Sequence, residues 1–163
     1  MSRQSTRPVA RRQVALIVTA FAAVGVALGV VGFVGTDWAR TQFVTGATGN
    51  APETFGPVFV ALSALQTTVT LFFAGPVLAA TVGLLSGSRF VDDGTAGAVA
   101  AGGSLVGFFV LAGAGLAGVA LVSGPGTDQT YPLVGAVGPL LLAGVATAAT
   151  GGVAGLLGCR FVR

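Results

Sequence analysis

The chain has no histidine, no lysine and one cysteine, and its charge is confined to eight arginines and five acids in 163 residues. Each shortage removes a class of chemistry. One cysteine cannot form a disulfide within the chain or nucleate a cysteine cluster. Without histidine, zinc or haem ligation has almost no donor set to draw on, so no metal and no cofactor are expected. A soluble domain carries about 25% charged residues; this chain carries 8%, with 53% hydrophobic residues and a mean hydropathy of +0.91. That is too little polar surface to cover a water-soluble fold.

What is present is four long apolar stretches without a single Asp, Glu, Lys, Arg or His. They run from about Val14 to Gly35, Phe55 to Ser86, Ala96 to Val122 and Leu133 to Gly158. A bilayer core takes about 20 residues of apolar helix, so each is long enough to span. The expected fold is an all-α membrane protein, a four-helix transmembrane bundle running up-down-up-down. Residues 1–13 form a basic arm, 14–159 the membrane domain and 160–163 a short tail.

The arginines predict orientation. With the N-terminus inside, Arg3, Arg7, Arg11, Arg12, Arg89, Arg160 and Arg163 are cytoplasmic and Arg40 alone is outside. This is a strong positive-inside bias, and it makes Arg11, Arg12, Arg89 and Arg160 the topology determinants. Trp38 and Tyr131 fall beside the outer ends of the first and fourth spans, where amphipathic rings favour the headgroup layer. The net charge of +3 is not read as a nucleic-acid signal, because no aromatic residue is interleaved in the arm to stack bases. Arg11-Arg12 with the following Gln13-Val14-Ala15-Leu16 loosely resembles a twin-arginine signal. The apolar stretch behind it is longer than a signal h-region and no A-x-A-like site follows, so the segment is read as a retained first span.

Arginine as the only basic residue, dominance by Ala, Gly and Val, and Asp-bearing loops such as Asp92-Asp93-Gly94 resemble small multi-pass membrane proteins of haloarchaea. Many of those belong to families of unknown function, so the resemblance implies a cell-membrane location and no activity.

Along the chain, the first helix is expected to start near Pro8, capped by Ser5 or Thr6, and to end near Gly35. Asp37 to Val44 reads as a short surface helix, and Gly46 to Glu53 as loop. The second stretch overruns the bilayer; Pro57 suits its first turn, and Pro76 is expected to bend or break it. Asp93 or Thr95 should cap the third helix, and Thr130 the fourth, with Pro132 in its first turn. An internal echo joins the two inner ends: Gly83-Leu84-Leu85 to Arg89-Phe90-Val91, and Gly155-Leu156-Leu157 to Arg160-Phe161-Val162. Two repeated helix hairpins would give this pattern, related by an axis along the membrane normal.

Glycine is abundant, 27 of 163 residues. Its spacing places small residues on one face of every span: Gly25 and Gly29; Gly75, Ala79 and Gly83; Gly103 and Gly107; Gly144, Ala148 and Gly152. Lipid supplies no hydrophobic drive between helices, so close backbone approach at such faces is the expected glue. Gln66, Thr67 and Thr68 form the most polar intramembrane cluster and should face another helix or a wet cavity. The spans hold no titratable group for a proton relay or ion path, and no P-loop, GxSxG or HExxH pattern appears. Asp92-Asp93 is too small for a calcium cage. Cys159 reads as a packing residue. The reading is therefore a non-enzymatic structural, accessory or assembly subunit whose partners are the bilayer and either itself or another membrane protein. A small oligomeric transporter or channel using uncharged polar residues is the alternative.

The orientation has a direct test. Cysteines introduced singly at Ser2, Gly49 and Asp128, in a Cys159→Ser background, are probed on intact cells with an impermeant thiol reagent. Labelling is expected at Gly49 and Asp128 and not at Ser2; the opposite pattern inverts the topology.

Overall fold

A computed structural model describes residues 6–45, 51–123 and 133–162. Four α-helices account for almost all of them: α1 (Thr6–Arg40), α2 (Ala51–Gly87), α3 (Asp93–Ser123) and α4 (Leu133–Phe161), with a π-helical turn, Thr41–Thr45, closing α1. All four are long and apolar enough to cross a membrane. The chain is a multi-pass membrane protein built as a four-helix bundle. At 1.5 Å per residue the 35 residues of α1 reach about 52 Å and the 37 of α2 about 56 Å. Both exceed a hydrocarbon core of about 30 Å, so their ends project into the headgroup layers.

Several expected boundaries shift. α1 begins at Thr6, with Pro8 in its first turn, but it does not stop at Gly35. Its buried stripe, Gly25, Gly29, Gly32, Thr36 and Ala39, continues at helical spacing past that glycine, and the helix follows it to Arg40. The separate surface helix expected over Asp37 to Val44 is therefore the last turn of α1 plus the π turn. α2 starts at Ala51, so Ala51, Pro52 and Glu53 are helix rather than loop. Pro52 then takes the first-turn place, where a missing N–H is harmless, and Pro57 lies inside the helix with Pro76. Pro76 does not break α2, which runs on as one helix. Around it the bundle holds the backbone: Gly75 lies against the Phe108 ring and Thr147, and Ala79 is fully buried. Such support is what lets transmembrane helices keep internal prolines. Ser5, Thr130, Tyr131 and Pro132 lie outside the described residues.

The cap of α3 is Asp92, one residue before Asp93 and three before Thr95. Its Oδ2 accepts from the Thr95 backbone N–H and the Thr95 hydroxyl, both at 2.7 Å, satisfying an orphan donor of the first turn. Asp93 is drawn instead to α4, where the Arg160 Nε donates to its Oδ2 at 3.1 Å. Beside it the buried Cys159 thiol donates to the Phe90 carbonyl at 3.1 Å. These contacts pin the α2–α3 connection to the end of α4.

The helices pair by direction rather than by sequence order. α1 packs along α3, in parallel: Gly103 and Gly107 of α3 face Ile17 and Phe21, and Gly25 and Gly29 of α1 face the backbone at Leu111 and Ala114. Bulk and space thus exchange sides along this seam. α2 packs along α4, also in parallel, with Gly83 against Gly151 and Ala154, Gly87 against Gly155, and Leu84 against Gly158. α3 and α4 meet antiparallel where Gly97, Ala100 and Ala101 interleave with Gly152, Gly155 and Leu156. α2 and α3 touch around Leu71, Gly75, Phe108 and Gly115. Among the described residues α1 and α4 do not meet. The section is a rhombus with α2 and α3 at the close corners, around Ile17, Phe21, Leu71, Ala79, Phe108 and Leu111. Two hairpins related by a two-fold axis along the normal would need an α1–α4 contact to match the α2–α3 one, and the described residues make none.

The predicted glycine faces are not equivalent, which orders their mutants. A Cβ at Gly118 would run into the Gly29 backbone, whereas one at Gly107 meets the Phe21 ring at 2.8 Å and one at Gly152 meets the Ala101 Cβ at 3.2 Å and the Gly97 carbonyl oxygen at 3.6 Å. Gly102 and Gly113 face open space. Gly118→Ala is expected to destabilise by about 1–3 kcal/mol through overpacking, Gly107→Ala and Gly152→Ala by successively less, and Gly113→Ala to be neutral or stabilising. Thermal unfolding in one detergent ranks the series; a larger loss at Gly113 than at Gly118 would refute the packing assignment.

Candidate interhelical groove

Helix polarity defines two ends of the bundle. One collects the start of α1, the end of α2, the start of α3 and the end of α4, and with them Arg11, Arg12, Arg89 and Arg160. The other holds Trp38 and the π turn. Towards the Trp38 end, α1 and α2 are held together at two places. Gly32 admits the Thr67 side chain, and Gly56 lies under the Phe43 backbone and Val44. Phe43 also stacks on Phe59, with ring centroids 4.6 Å apart, and takes Trp38 against its ring at 5.9 Å in an edge-on contact. Between these points the helices part.

The resulting groove has a volume of about 330 Å³, and its polar lining is Thr36, Ser63, Gln66, Thr67 and Thr70. The α2 hydroxyls that line this groove are internally satisfied. Ser63 donates to the Phe59 carbonyl, Thr67 to Ser63 and Thr70 to Gln66, at 3.0, 3.1 and 2.8 Å. Thr68 does the same to Ala64 at 2.9 Å and does not line the groove. The predicted trio is thus divided: Gln66 and Thr67 share the groove, and Thr68 lies on another face.

Two groups in the groove are not satisfied within the fold. Thr36 is 1% exposed and its Oγ1 has no hydrogen-bond partner. Gln66 is exposed, and its amide makes no hydrogen bond to the described residues. It lies five residues from the middle of the apolar span Phe55–Gly87, about 7.5 Å along the axis, inside the hydrocarbon layer. Around it Leu62, Leu65, Val69 and Phe73 are exposed. Lipid accommodates those side chains; it offers nothing to an amide. Thr36 escaped sequence reasoning although it is visible as a polar member of the small-residue stripe, four residues after Gly32 and three before Ala39.

The arrangement supplies neutral donors and acceptors in an apolar surround, with no titratable side chain in the groove lining. It suits recognition by hydrogen bonding and shape. A comparison with protein-family models, curated proteins and solved structures finds no match.

An unpartnered buried hydroxyl costs about 1–3 kcal/mol. Thr36→Val keeps the shape and removes that group, so the isolated protein in detergent is expected to hold or raise its melting temperature. Thr147→Val removes a hydroxyl bonded to the Ala143 carbonyl at 2.7 Å and serves as the satisfied reference. A marked loss of stability confined to Thr36→Val would show that its hydroxyl is already engaged.

Proposed function

We propose that this protein is a non-enzymatic assembly subunit of the cell membrane, with both termini cytoplasmic, which joins a second copy of itself through the α1–α2 groove. The observation that carries the reading is Gln66: an exposed amide at bilayer depth, on an otherwise lipid-compatible face, with no partner among the described residues. Burying an amide in hydrocarbon without a hydrogen bond is costly, and a second polypeptide relieves that cost. A two-fold interface must be self-complementary. A glutamine amide donates and accepts equally well, so Gln66 can pair with its own symmetry mate. The groove carries no charge, so nothing repels when two copies meet. The arginine distribution supports the orientation.

Leu62 lies one turn from Gln66 and is exposed, and Leu142 is exposed on α4. In a Cys159→Ser background, Leu62→Cys is expected to form a disulfide dimer in native membranes and Leu142→Cys is not. Gln66→Leu should weaken self-association about threefold, the equivalent of the roughly 0.6 kcal/mol typical of membrane hydrogen bonds. A Leu62→Cys adduct with another membrane protein would replace the partner. A monomer that carries solute in liposomes, with flux abolished by Gln66→Leu, would replace the reading with the transporter alternative.

A further inference from the structure

A second cleft opens between α1 and α2 at the arginine end. It has a volume of about 580 Å³, and its lining includes Arg12, Gln13 and Leu16 from α1 and Leu85, Ser86 and Arg89 from the end of α2. Arg12 and Leu16 are one turn apart on α1. Arg89 sits in the turn that closes α2, its backbone N–H donating to the Ser86 carbonyl at 3.1 Å. Both arginines are exposed, and neither has an acidic partner among the described residues. Ser86 is 3% exposed, and its buried Oγ makes no hydrogen bond. The cleft therefore combines two guanidinium groups, one orphan hydroxyl and an apolar wall that continues towards the membrane interior.

We propose that this cleft binds an anionic phospholipid, its phosphate held between Arg12 and Arg89 with Ser86 and Gln13 as further donors, and an acyl chain lying on Leu16 and Leu85. Guanidinium groups suit phosphate oxygens because their paired N–H donors match its geometry. Basic pockets between transmembrane helices are established sites for acidic headgroups. A soluble anion would satisfy the arginines but not the apolar wall. A zwitterionic lipid would cover the wall but bring its own cation beside the arginines.

The test compares adjacent arginines. Arg11 and Arg12 carry the same charge at nearly the same depth, but only Arg12 lines the cleft. Purified full-length protein in detergent is titrated with phosphatidylglycerol, phosphatidylcholine and inorganic phosphate, with melting temperature and native mass spectrometry as readouts. Phosphatidylglycerol is expected to bind and stabilise, and the other two are not. Arg12→Gln with Arg89→Gln should weaken that binding roughly 30-fold, from about a fivefold contribution per arginine at a membrane surface, while Arg11→Gln changes it less than twofold. Equal stabilisation by inorganic phosphate overturns the lipid assignment, as does equal loss in Arg11→Gln and Arg12→Gln. A second readout leaves both arginines in place. In a Trp38→Phe background, Leu85→Trp should be quenched more strongly by phosphatidylglycerol with brominated chains than by the matching phosphatidylcholine at equal mole fraction. Equal quenching by the two overturns the proposal independently of any arginine variant.

Discussion

Close backbone approach at glycine is the constraint on which the rest of this structure depends. In lipid, exchanging a helix–lipid contact for a helix–helix contact gains no hydrophobic free energy. What remains is van der Waals contact, Cα–H···O contact and the interaction of peptide dipoles, all of which decay within an ångström or two. A helix side can exploit them only where it presents no side chain. The Gly118–Gly29, Gly87–Gly155 and Gly158–Leu84 crossings are of this kind, with backbone opposed to backbone. Where glycine faces a large side chain instead, as Gly103 faces Ile17 and Gly107 faces Phe21, the same economy gives interlocking shape. The helix order in space follows from these matches. α1 lies along α3 and α2 along α4 because their small faces coincide there, although each pair is separated in sequence by a whole helix.

Polar groups inside such a bundle have two ways to be satisfied. Most hydroxyls here take the local one and bond the carbonyl a turn back: Thr67, Thr68, Thr70, Thr147 and Thr150 all do so. They add no interhelical contact and need none. That makes the exceptions informative. Thr36 and Ser86 are buried with free hydroxyls, and each lines an α1–α2 cleft. Ser104, the third such hydroxyl, sits against Gly151 inside the α3–α4 seam and lines neither cleft.

The number and class of the helices were legible because charge-free runs of this length admit one interpretation. Their ends were less so. Gly35 reads as a terminator only if the stripe that continues through Thr36 and Ala39 is overlooked, and the polar Asp37-Trp38 pair encourages that error. Asp92 and Asp93 are indistinguishable as caps until Arg160, 67 positions away, engages one of them. The functional trio was half legible. Thr67 and Thr68 differ by about 100° around the helix, which separates a groove residue from one on another face, but sequence does not say where the neighbouring helix lies. The arginines were legible as topology signals, while the convergence of Arg12 and Arg89 on one cleft requires knowing that the start of α1 lies beside the end of α2.

Both clefts have one origin. Because α1 commits its glycine face to α3, and α2 commits its own to α4, the seam between α1 and α2 has no small-residue face left on either side. Gly32 admits Thr67 there, and Gly56 lies under the π turn. Between those points, and again at the arginine end, the helices stand apart, and the gaps take the chemistry of the layer they occupy: neutral and hydrogen-bonding at membrane depth, cationic at the arginine end. A bundle that satisfied every pair equally would present an unbroken apolar surface and have nothing with which to recognise a neighbour. Unequal packing is therefore the physical source of any specificity this chain has. On the proposed reading, the α1–α2 seam lets a partner helix and a lipid each bind without disturbing the contacts that hold the fold.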